Sequence, residues 1–148
     1  MKKDIPQPKV THLAIAVVPR PAPAPDVPGL SPAPTPEAEI DLWDCFILNL
    51  REAPITNVLI SSKGYGLIDG EQKTTTTLRH FFDELAPQTA YKIEPIQTTL
   101  FDITNEYWVS FNYEDHMYDK KYVFVKGSIV PENFTKVPIV GRKGVMIR

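Results

Sequence analysis

Glu114, Asp115, His116 and Asp119 form the densest group of side chains in this sequence able to bind a metal or move a proton. Carboxylate and imidazole are ordinary ligands of zinc and manganese. The loop Glu114–Asp119, joined by His80, is thus a candidate site for an enzyme or for a small-ligand or metal-binding protein. No two histidines share a spacing that would fix the geometry, and the loop lies between two strand-like runs. A hairpin there needs polar turn residues, so a solvated turn is the better reading and the ligand site the alternative.

Cys45 could serve as a nucleophile with His80 or His116 as its base. It lies between Trp43 and Ile47 inside an apolar run, where an unpaired cysteine behaves as a small buried hydrophobe. The glycines of Lys63-Gly64-Tyr65-Gly66 could admit an anion, but the helix that a phosphate loop requires does not follow them. A turn explains them better. No catalytic residue, cofactor or metal site is assigned from these patterns.

Aromatic residues offer a different chemistry. Trp43, Tyr65, Tyr107, Trp108, Tyr113, Tyr118 and Tyr122 are many for one small core, and Tyr and Trp anchor interfaces and stack on sugars. Trp108 shares its strand face with Ser110 and Asn112, a composition suited to partial exposure. The expected interaction surface is Trp108 with Tyr107, Tyr113 and Tyr118, or an exposed edge strand, holding a protein partner or a second copy of the chain. The competing role for Trp108 is to cover the sheet beneath a loop. Trp43, in a run apolar on both faces, is expected to be structural.

The elements that must position these residues read mostly as short strands. Lys9–Val18 is apolar with small alternate residues, and Leu42–Leu50 is apolar on both alternating faces, as a central strand should be. Glu52-Ala53-Pro54 then turns the chain into Ile55–Ser62, which reads as a hairpin. Lys63–Gly66 and Asp69-Gly70-Glu71 are turn signals. Leu78, Phe81, Phe82 and Leu85 have helical spacing, but Thr74–Thr77 before them favours a strand with Leu78, His80 and Phe82 inward.

Tyr91-Lys92-Ile93-Glu94 alternates, and Glu106–Tyr113 with Met117–Val125 reads as a second hairpin. Ser128–Phe134 fits one helical turn, and Val145–Arg148 a closing edge strand. Together these predict an all-β antiparallel sandwich of about seven to eight strands with at most one short helix.

The run Leu85-Ala86-Pro87-Gln88-Thr89-Ala90-Tyr91-Lys92-Ile93 is similar to the Leu-x-Pro-x-Thr-x-Tyr-x-hydrophobic run of fibronectin type III domains. The resemblance covers nine residues. It implies an immunoglobulin-like, fibronectin-III-like sandwich, with Tyr91 in a tyrosine corner that pins the preceding loop and Leu85 as a core anchor.

The 148 residues suit one domain, 1–148. A Pro/Ala-rich stretch over 19–38 cannot join a helix interior or a sheet ladder and is expected as a flexible loop. Net charge is −2, with no basic excess of the kind a nucleic-acid binder carries. Residues 114–148 hold seven basic side chains against four acidic, a mildly basic edge. No stretch approaches a membrane span, and the single cysteine fits a reducing, cytoplasmic compartment. The functional expectation is a non-catalytic binding or assembly module.

Overall fold

Burial on both faces organises the architecture. Leu13–Pro19 (β1) and Leu42–Asn49 (β2) pair antiparallel, and in each every residue from the third to the sixth is buried. A strand with two apolar faces must lie inside a layered structure, and here it does. The structure, a computed structural model, describes residues 10–20 and 42–148. The loop expected over 19–38 falls outside these residues from position 21 onward.

The remaining strands are Ile55–Ile68 (β3), Glu71–Thr74 (β4), Leu78–Leu85 (β5), Thr89–Gln97 (β6), Thr104–Tyr113 (β7), His116–Phe124 (β8), Thr135–Lys136 (β9) and Lys143–Ile147 (β10). One antiparallel sheet runs β6-β2-β1-β10-β9. The second runs β4-β3-β7-β8, with β5 paired to the other half of the same β3 edge. The chain is all-β, an antiparallel sandwich as expected. Among the described residues ten strands form where seven or eight were read, because β4 and β9 are too short to leave a pattern. No α-helix occurs among the described residues; 3₁₀ turns at Thr98–Asp102 and Pro131–Asn133 are the only helical elements there.

The core fills the space between the sheets. Leu13, Ile15, Val17, Cys45 and Ile47 from the first sheet meet Ile55, Val58, Ile60, Val109, Phe111, Tyr122 and Phe124 from the second. The Tyr122 hydroxyl crosses this gap and donates to the Leu13 carbonyl at 2.8 Å. The buried Asn49 amide donates to the carbonyls of Ala53, Leu85 and Ala86, each at 3.1 Å. It thereby ties β2 to the chain entering and leaving the other sheet.

Trp43 closes one end, edge-on to Phe101 (4.9 Å) and Phe134 (5.7 Å). A smaller cluster, with Ala14, Ala16, Phe46 and Leu48 beneath Val137, covers the outer face of the first sheet. Beside it the buried Asp44 carboxylate draws in Arg20 (3.0 Å), Lys92 (3.6 Å) and Arg142 (3.9 Å).

Two local expectations are corrected. β2 and β3 are not a hairpin; Arg51–Pro54 carries the chain from one sheet to the other. A strand buried on both faces already has its two neighbours, here β1 and β6, and leaves no edge for a third. Lys63–Gly66 is not a turn but the continuation of β3. Its glycines make room for Ile103, whose side chain a Cβ on Gly64 would approach to 2.8 Å. The segment of helical spacing is the strand β5, as its preceding threonines indicated.

Candidate functional site

Strict alternation along β7 divides the expected surface in two. Tyr107, Val109 and Phe111 point into the core, and Tyr107 is only 2% exposed. Tyr113 and Tyr118 pack on the same inner side; Tyr118 stacks on Phe111 at 5.4 Å, and Arg51 lies over the Tyr113 ring at 4.3 Å. Trp108 alone of the four faces outward, 45% exposed. Tyr107 therefore does not belong to an outer contact surface, because an odd step along a strand reverses the face. Tyr113 and Tyr118 reach solvent only at the rim of the core.

The outward neighbours of Trp108 come from other strands. One row across the sheet is Arg79, Ser61, Trp108 and Lys121; the next is Phe81, Leu59, Ser110 and Asp119. Leu59 and Phe81 are direct cross-strand partners, 41% and 58% exposed. Trp108 sits diagonally from Leu59, within reach of a large side chain. The Lys121 ammonium lies 5.0 Å from the Trp108 ring and 3.5 Å from the Glu106 carboxylate, which Lys63 also approaches (3.8 Å). Three exposed apolar side chains thus form a ridge bordered by alternating charges, and no described element packs over it. The Leu59–Phe81 pair was legible in principle, since the strand reading of Leu78–Leu85 leaves Phe81 outward.

Two of the edge strands, β6 and β8, are poorly suited to augmentation by another chain. β6 carries Pro95, which offers no N–H, and β8 carries Asp119, Lys120 and Lys121. Prolines and charges in these places discourage edge pairing.

The Glu114–Asp119 loop does not gather its ligands. Glu114 (φ 48°) and Asp115 (φ 62°) are the two central residues of a tight hairpin turn closed by Tyr113 opposite His116. Positive φ at both positions is the signature of the turn that matches strand twist. His116 then pairs across from inward Tyr113, whereas Asp119 pairs across from outward Ser110, so the two point to opposite faces. Among the described residues no three His, Cys, Asp or Glu side chains converge on one point.

Cys45 is fully buried, and burial pushes its thiol far above its ordinary value. Neither His80 nor His116 is among the groups that shift it. The polar side chains that bear on it are instead Tyr107 and Glu94. Burial above all raises the Tyr107 hydroxyl well above its ordinary value and holds it neutral. Glu94 reaches the interior because the β2–β6 register slips between Cys45 and Phe46: Phe46 pairs with Lys92, but Cys45 pairs with Glu94. This bulge at Ile93 reverses the alternation and turns inward a carboxylate that simple alternation sends to solvent. No family model, curated protein or solved structure matches this chain.

Proposed function

We propose that this domain is a non-catalytic binding and assembly module whose contact surface is the outer face of β5, β3, β7 and β8. The observation that carries this reading is the uncovered ridge of Phe81, Leu59 and Trp108. Its occupant is the same face of a second copy. Arg79, Lys63 and Lys121 share this face with Glu106, Asp119 and Asp83, so it carries both signs, as a patch that meets its own copy across a two-fold axis requires. A strongly charged partner would need an excess of one sign. Four strands about 4.8 Å apart and three side-chain rows about 6.6 Å apart span roughly 300–400 Å². This is well short of the ~800 Å² per partner of a stable interface, so association is weak and concentration-dependent.

An immunoglobulin-like connectivity is part of the same reading. It is supported by β1, β2 and β6 facing β3, β7 and β8, the order of strands A, B, E against C, F, G. The Tyr91 hydroxyl accepts a hydrogen bond from the Ala86 N–H at 3.3 Å, as a tyrosine corner does, although β6 occupies the E position rather than F. An unpaired, buried Cys45 supports a reducing, cytoplasmic setting.

Light scattering and thermal denaturation test the surface together. Self-association of the unaltered protein should grow with concentration, and Trp108→Ala should abolish it while moving the melting temperature by less than about 3 °C. Trp43→Ala, which removes the ring between Phe101 and Phe134, should instead lower stability by about 3 kcal/mol. A protein that stays monomeric at every concentration, or a Trp108→Ala variant as unstable as Trp43→Ala, would sink the reading.

A further inference from the structure

Glu94 is aimed into a cleft. Between the free edge of β6 and the far half of β3 lies an opening of about 270 Å³, floored by the Glu94 and Tyr107 side chains and walled by Leu42, Ile96, Leu78 and Leu100. Its volume falls just under the ~300–1,000 Å³ of drug-sized ligand pockets, so any occupant is small. Glu94 is 9% exposed, which leaves it buried at the bottom of this opening.

A carboxylate has room for about four hydrogen bonds, and burying one short of partners is costly. The Tyr107 side chain lines the same cleft. His80 comes within 3.5 Å of Glu94, yet its Nε2 is buried without an aligned hydrogen-bond partner. Lys63 also lines the cleft, but its ammonium is drawn to Glu106 on the outer face of β7. Among the described residues no lysine or arginine pairs with Glu94, and His80 is its one ion-pair neighbour. The bulge at Ile93 puts the charge here, and bulges that re-aim a side chain recur next to functional sites.

We infer that this cleft binds a small organic ammonium, its charged head on Glu94 and its apolar stem between Leu42, Ile96, Leu78 and Leu100. The site is independent of the outer face, since Glu94 and Trp108 lie on opposite sides of the second sheet. Binding here needs no second copy.

The test uses n-butylammonium, with n-butanol as its uncharged counterpart, added to the full chain at pH 8. Backbone amide shifts of Gly64, Ile96 and Gln97 should move and saturate with butylammonium in the millimolar range. Butanol should bind at least about tenfold more weakly, a difference of ~1.4 kcal/mol. Glu94→Gln should weaken butylammonium to the level of butanol. Leu78→Lys, at a 48% exposed position on the rim, should abolish binding by placing the chain's own ammonium in the cleft; this variant decides the matter if Glu94→Gln proves unfolded. Equal affinity for butanol, undiminished binding by Leu78→Lys, or no saturable shift below about 50 mM would overturn the inference.

Discussion

At the scale of single residues, the interior is defined as much by its polar groups as by its aliphatic ones. Cys45, Tyr107 and Tyr122 all have folded-state values above their ordinary ones, with burial the first cause in each. An acid whose value is raised by folding gives up its proton sooner in the unfolded chain. The unfolded state then binds fewer protons, and stability falls as pH rises. The contribution is intact below the unfolded values, about 8.5 for cysteine and 10 for tyrosine, and is lost progressively above them. The melting temperature should therefore hold to about pH 8.5 and decline beyond it, with Tyr107 and Tyr122 ionising only as the fold is lost. Absorbance at the tyrosinate band, followed beside circular dichroism, checks this. Full ionisation of all six tyrosines while the β signal persists would contradict it.

At the scale of elements, the β7–β8 turn holds two non-glycine residues at positive φ. Left-handed backbone costs about 1–2 kcal/mol per ordinary residue, less for Asp, whereas Asn-Gly adopts this turn readily. Replacing Glu114-Asp115 by Asn-Gly should stabilise the domain by about 1 kcal/mol and raise its melting temperature by roughly 3–5 °C. Unchanged or lower stability would mean that the two acidic side chains contribute more than the turn strain removes. This hairpin was legible because Tyr107 to Tyr113 and Met117 to Val125 each alternate without interruption. The β2–β3 relation was not, since alternation says which face is buried and nothing about which sheet a strand joins. Glu94 was illegible for a third reason. Its inward aim depends on one unpaired residue, Ile93, whose bulge is set by the register of the neighbouring strand. The Trp108 face was half legible: its own strand marked Trp108 as outward, but Leu59 and Phe81 reach it only through pairing of distant segments.

At the scale of the whole molecule, β1 and β2 are the elements on which both faces of the first sheet depend. They lie side by side with Pro19 opposite Trp43 as the last pair, so their ends at residues 20 and 42 stand next to one another. That separation is one a short turn can bridge, although the chain spends residues 21–41 on it. Closing a loop costs about 0.6 kcal/mol for each doubling of its length. Replacing 21–41 by about five turn residues, a shortening of roughly two doublings, should thus favour the folded state by about 1 kcal/mol. Arg20, which holds Asp44 at 3.0 Å, stays in the shortened chain. The expected outcome is an unchanged β signal and a melting temperature equal to or a few degrees above that of the full chain. A cooperative loss of structure would instead show that residues 21–41 supply packing to the sandwich. The Ala14, Ala16, Phe46 and Leu48 face would then be the first place to look for the lost contacts, because that face adjoins the ends of β1 and β2.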